Sequence, residues 1–258
     1  MASTLVSDLA VAPYNAICCL KTTYDSYGGV SGFGTGFLIS PTRIVTAGHV
    51  LWSNLEGQLD EPVWPDRVTV FIGQGILVGF PNLVLQLQAS DGSLRPTVWP
   101  GFMDGSSAVD LGYLDIPACL APPLTLPLAP AALAPQAPLD LCGFPRGVQP
   151  LGQYQDTGPL YDLGPEAFRY EMATLAGQSG APVRLAAGGP VVGVHIQGDF
   201  TDDESAELGR AVLLTPELVA WLKRPAAIEA ADADAAADST APNSDPTDTG
   251  PVALGGAS

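Results

Sequence analysis

The chain has 258 residues, 47 % of them apolar and only 14 % charged, with 27 acidic against 10 basic side chains and a net charge of −17. That much apolar material can bury a sizeable core, which excludes disorder throughout. The acidic field argues against nucleic acid and membrane surfaces as partners, because both are anionic. With 29 glycines and 25 prolines, helical runs are broken too often for a bundle, so a β-rich, loop-rich chain of one domain or two small barrels is expected.

Residues 1–13 read as an N-terminal extension. No basic residue precedes Lys21 and Asp8 interrupts the apolar run, so no secretory leader is recognisable. A cytoplasmic protein is expected, or a secreted one if a leader is missing from this sequence. Between Gly- and Pro-bearing turns, β-type runs follow at 14–22, 34–39, 43–46, 67–72, 82–87, 111–116, 139–142, 167–172, 182–184, 191–195 and 211–214. Next comes one short helix, with Thr215 as cap, Pro216 in its first turn, and Glu217 and Lys223/Arg224 complementing its dipole. The pattern predicts an all-β protein of closed antiparallel barrels with a short C-terminal helix. From Pro225 to Ser258 there are six acids, no base and no aromatic residue, which predicts a disordered acidic tail; the body without it keeps a charge of −11.

The cysteines are Cys18, Cys19, Cys119 and Cys142, with no CxxC pair, so zinc-ribbon and thioredoxin-like readings fail on spacing. Free, mostly buried thiols are expected, with a Cys119–Cys142 disulfide left open.

Only two histidines occur. His49 follows the apolar run Ile44-Val45-Thr46-Ala47-Gly48, Asp110 opens Leu111-Gly112-Tyr113-Leu114, and Ser179 sits in Gly177-Gln178-Ser179-Gly180. A serine hydroxyl is a weak nucleophile until a base takes its proton. Imidazole does this near neutral pH, a carboxylate fixes its tautomer, and N–H groups beside a flexible glycine can meet an oxyanion. The chain order His, Asp, Ser excludes the α/β-hydrolase arrangement, which runs Ser, Asp, His. A second Gly-x-Ser-Gly at Gly29 to Gly32 precedes both histidines, so Ser31 fails on order. Asp104 lies in a Gly/Ser loop and reads as a turn former, while Asp115 should face away from the site.

In these three segments the chain resembles the chymotrypsin-like (trypsin-like) serine peptidases. It is closest to their bacterial glutamyl endopeptidase branch, through Gly143-Phe144-Pro145, Gly193-Val194-His195 and Gly209-Arg210-Ala211-Val212-Leu213. The resemblance covers residues 14–224 and implies two antiparallel six-stranded barrels, divided near 115–125, with the active site between them. It further implies Ser179 as nucleophile, His49 as base, Asp110 as its orienting acid, and the N–H groups of Gly177 and Ser179 as oxyanion hole. No cofactor or metal is implied. In that branch a pocket-strand histidine and a threonine five residues before the serine bind a substrate glutamate, which maps to His195 and Thr174. Gly198 would pair with the substrate backbone.

The position six before the serine, acidic in trypsin, is Ala173, so a counter-charge for Lys or Arg is missing. Asp202, Asp203, Glu204 and Glu207 could make His195 cationic or could repel an acidic substrate; the sequence leaves both open. The function expected is a serine endopeptidase acting on protein or peptide substrates, with preference for Glu and then Asp before the scissile bond. The alternatives are a peptidase of other specificity, activated inside the cell by a protein partner or by loss of residues before about Val11, and a non-catalytic peptidase-like binding module.

Overall fold

Runs of β-branched and aromatic residues fold as strands because their side chains pack well on a pleated, half-buried surface. The computed structural model describes residues 3–54, 57–72, 83–117, 125–130, 133–148, 150, 152–200 and 207–225. In chain order its strands are β1 (Thr4–Leu5), β2 (Ile17–Tyr24), β3 (Val30–Ser40), β4 (Arg43–Thr46), β5 (Arg67–Ile72), β6 (Leu83–Gln88) and β7 (Arg95–Val98), followed by β8 (Gly112–Asp115), β9 (Pro138–Gly143), β10 (Tyr154–Leu163), β11 (Ala167–Tyr170), β12 (Pro182–Leu185), β13 (Val191–Phe200) and β14 (Glu207–Leu213). The helices are α1 (Gly48–Leu51), α2 (Pro100–Met103) and α3 (Pro216–Leu222).

Two antiparallel sheets result. In the C-terminal one the order is β10-β11-β14-β13-β12-β9, and β9 pairs back onto β10, closing a six-stranded barrel. The N-terminal sheet runs β6-β5-β2-β3-β4-β8-β7 and curls, with no pairing between its edge strands among the described residues. The expected all-β double-barrel layout is observed, with one six-stranded barrel closed and the other present as a curled seven-stranded sheet. One apolar cluster spans both sheets, from Phe37, Val45 and Leu111 to Cys142, Phe144, Val194 and Ile196. It gives the two sheets a common floor.

The C-terminal helix forms where its signals lie: the Thr215 hydroxyl accepts from Leu218 N–H (3.3 Å) and Pro216 opens the first turn. Its Trp221 packs against Trp99 (5.3 Å) and Tyr113 (5.0 Å). Beneath it Arg43 stacks 4.1 Å from the Tyr113 ring and donates from Nε to Asp115 (2.7 Å) and from Nη1 to the Leu222 carbonyl (2.8 Å). Asp115 is thus committed to a buried structural pair. Asp104 is a turn former, its carboxylate accepting from Ser106 N–H (2.9 Å).

Three strands escape the sequence pattern. β1 is only two residues, pairing Thr4 with Gln155 on β10. β7 and β10 carry Pro96 and Pro159, which read as breakers. In β10 the proline sits at the end of the ladder with β9, opposite Pro138. Gly158 just before it is required, since a Cβ there would lie 2.2 Å from the Glu171 carbonyl. Cys19 and Cys142 are free thiols, and Cys18 and Cys142 are buried. Asn82, Cys119, Asp202, Asp203, Glu204 and the tail beyond Pro225 lie outside the described residues. Among those described, no helix is long and apolar enough to cross a membrane.

Candidate active site

The apolar strand β4 ends in small residues, and the chain turns at once into α1, which carries His49. Gly48 is needed at this turn because a Cβ would lie 2.9 Å from Asp110 Oδ1. The Asp110 carboxylate, buried just ahead of β8, meets His49 twice. Oδ1 accepts from the His49 main-chain N–H (2.8 Å), and Oδ2 accepts from ring Nδ1–H (2.5 Å). A carboxylate can only accept, so the proton of the neutral ring is assigned to Nδ1 and Nε2 carries the lone pair. Burial pushes the imidazole pKa down, but the hydrogen bond and charge of Asp110 together outweigh it, leaving the pKa above the ordinary 6.5.

The Ser179 loop is shaped by glycine. Gly177 has φ +93° and Gly180 φ +88°, a region other residues rarely adopt, and a Cβ at either would strike backbone, 2.6 Å from the Phe144 carbonyl or 2.1 Å from that of Thr35. Buried Gln178 braces the turn by accepting the Leu175 N–H on Oε1 (2.8 Å). The Ser179 hydroxyl lies 3.4 Å from the Ile196 carbonyl. No acceptor within the described chain takes the N–H groups of Gly177 and Ser179. His49, Ser179 and Gly177 line one recess of about 370 Å³.

Sequence reasoning missed Thr35. This fully buried residue of β3 makes four hydrogen bonds, two of which tie the N-terminal sheet to the Ser179 loop. Its hydroxyl donates to the Gly177 carbonyl (2.8 Å) and accepts from Phe144 N–H (3.0 Å). Its N–H donates to the Ser179 carbonyl (2.8 Å), and its own carbonyl accepts from the Thr46 hydroxyl (2.7 Å). The available signal was a threonine between Gly34 and Gly36 on an apolar strand, where only close backbone approach explains the glycines. Thr35→Val keeps the shape but strands a buried carbonyl and a buried N–H. It is expected to cost about 2–4 kcal/mol of stability in urea denaturation, and to lower hydrolytic activity at least tenfold by freeing the Gly177 peptide. Thr35→Ser should recover most of both.

On β13 the register against β14 slips between His195 and Gln197. Such a bulge re-aims side chains, and it sits beside Ser179. His195 is 1 % exposed; its Nδ1 contacts the Tyr170 hydroxyl at 2.7 Å and the Arg210 carbonyl at 3.1 Å. Burial drives its pKa down to about 3, against the Arg210 carbonyl, with the charge of His49 adding to the fall. Burial thus favours the neutral ring; Asp202, Asp203 and Glu204 lie outside the described residues. His195 Nδ1 faces a hydroxyl that can donate or accept and a carbonyl that can only accept. Thr174 Oγ1 is buried without a hydrogen-bond partner, and a Cβ on Gly198 would lie 3.3 Å from it. Thr174 and Gly198 are therefore neighbours.

A trypsin-like peptidase domain matches residues 34–194. The fold is similar to a solved Glu endopeptidase, at 17 % identity and TM-score 0.63, covering 90 % of this chain and 96 % of that one. It is also similar to a tobacco etch virus protease, at 16 % identity and TM-score 0.54, covering 83 % and 79 %. No curated protein matches by sequence. The family match spans both His49 and Ser179 and more than half of the sequence: the chain belongs to the trypsin-like peptidase family.

Proposed function

We propose that the chain is a serine endopeptidase in which Ser179 attacks the scissile carbonyl with His49 as base and Asp110 as orienting acid. The observation that carries this reading is the two-pronged Asp110–His49 contact, which leaves Nε2 as the basic nitrogen in the recess shared with Ser179. As the Ser179 Oγ–C bond forms, the hydroxyl proton passes to Nε2 and the carbonyl electrons move onto oxygen. The free N–H groups of Gly177 and Ser179 stabilise that oxyanion. Collapse breaks the C–N bond, the amine leaves with the proton from His49, and water repeats the sequence on the acyl-enzyme.

The pocket favours glutamate, then aspartate, before the scissile bond. One observation supports this: the buried Thr174 hydroxyl has no hydrogen-bond partner among the described residues. It can donate to a carboxylate, and Ala173 offers no counter-charge to Lys or Arg. The test is digestion of a denatured protein mixture with cut sites mapped by mass spectrometry. Cuts after Glu, with fewer after Asp, are expected. Cuts spread over other residues would retain the peptidase and remove the glutamate pocket; no cuts would favour the binding module.

Hydrolysis needs neutral His49, so kcat/KM is expected to rise along an acid limb centred above pH 6.5. Asp110→Asn should move that limb down, and a pH–rate profile decides it. The sign for stability is opposite. Folding raises this pKa, so the stabilisation is whole below pH 6.5 and fades as pH climbs through the raised value.

Residues before about Val11 act as a short propeptide in this reading. Thr4 and Leu5 are exposed and held by edge pairing to β10. Intact mass of an active preparation should show a chain starting near Val11; full activity of the unprocessed chain would remove this part.

A further inference from the structure

The recess holding His49 and Ser179 does not include Thr174, His195 or Gly198; it continues over Ser31, Gly32, Phe33 and Arg146. A peptide whose residue before the scissile bond sits at Thr174 and His195 therefore sends the residues after that bond along Phe33 and Arg146. Phe33 is 41 % exposed. Lys21 pairs with it across the β2–β3 ladder, its Nζ 6.0 Å from the ring centroid, and the Arg146 guanidinium carbon is 5.5 Å from the same centroid. Neither cation has an ion-pair partner among the described residues, whereas Arg43, Arg67, Arg169 and Arg184 each hold a carboxylate. Two unneutralised cations on one ring stand out in a chain of net charge −17.

Contact with an exposed ring leaves the edge of a guanidinium free to meet a carboxylate in two parallel hydrogen bonds. Arg146 is also held in place relative to the reacting atoms, because its main-chain N–H donates to the Ala176 carbonyl (2.6 Å), next to Gly177. We propose that Lys21, Phe33 and Arg146 form a subsite selecting an acidic side chain, Asp or Glu, within the first two residues after the scissile bond. The proposal rests on the peptidase reading, and it makes the preferred substrate acidic on both sides of the cut.

The test uses peptides that share one Glu before the bond and differ only in Glu, Gln or Lys at each of the next two positions. Hydrolysis is measured with the full chain, and binding by fluorescence anisotropy with Ser179→Ala. At low salt the Glu peptide should exceed the Gln peptide about fivefold at one position, in kcat/KM and in affinity, and the margin should shrink at 0.5 M salt. Arg146→Glu should invert the order toward Lys, and Lys21→Glu should weaken it. Equal values for Glu and Gln, loss of binding by every peptide, or an Arg146→Glu variant that lowers all peptides alike would overturn the subsite. Discrimination in the Ser179→Ala chain, inverted by adding Arg146→Glu, would uphold the subsite even if the unmodified chain hydrolysed nothing; the peptidase reading would then fall alone.

Discussion

Ser179→Ala is expected to lower kcat/KM on a peptide substrate by roughly 10⁵- to 10⁶-fold while leaving the melting temperature almost unchanged. The hydroxyl touches only the Ile196 carbonyl, at 3.4 Å, and the loop is held by other groups: Gln178 Oε1 on Leu175 N–H, and the Ser179 carbonyl on Thr35 N–H. Removing one oxygen therefore removes the proposed nucleophile and almost no packing. Asp110→Asn should cost about 10⁴-fold, because an amide can donate to Nδ1 and so favours the wrong tautomer. Combining His49→Ala with Ser179→Ala should add little to either alone, since the two act as one device. A Ser179→Ala chain that kept even a hundredth of the rate, at confirmed purity, would show that another group carries the attack.

The second large effect is on stability. Asp140 of β9 and Arg184 of β12 stand opposite one another in the barrel wall, joined by Nε to Oδ1 (2.8 Å) and Nη2 to Oδ2 (2.9 Å), with side chains 4 % and 6 % exposed. Neither is near enough to solvent to be rehydrated if its partner is lost. Asp140→Ala should therefore cost about 3–5 kcal/mol, because it strands a buried guanidinium. That corresponds to a fall of roughly 6–20 °C in melting temperature for a body of this size. The double variant Asp140→Leu/Arg184→Met should recover most of the loss, since replacing a buried pair by packed apolar side chains is near neutral. Calorimetry of the three chains separates the pair's own contribution from the penalty of orphaning one charge. A single variant as stable as the parent would mean that the barrel wall admits water.

Much of this was legible in the residues. β4, β5 and β13 read as strands because their apolar positions are continuous or alternate, and Gly177 and Gly180 mark a loop that no side chain could turn. Asp104 and Asp115 were separable from Asp110 by local context, and the structure gives them a turn and an ion pair. Thr35, β10 and the state of His195 were not legible. Thr35 matters through partners more than 100 residues away, Gly177 and Phe144. β10 looks broken by Gly158 and Pro159 until its pairings with β9 and β11 are drawn.

The sequence by itself determined the chain order of His49, Asp110 and Ser179, the glycines around them, the capped helix and the acidic charge, because each depends on bonded neighbours or on composition. Only the tertiary structure decided the burial of His195, the bridge from Thr35 to the Ser179 loop and the gathering of Lys21 and Arg146 on Phe33. Those depend on desolvation and on strand register, which bring together atoms far apart in the chain.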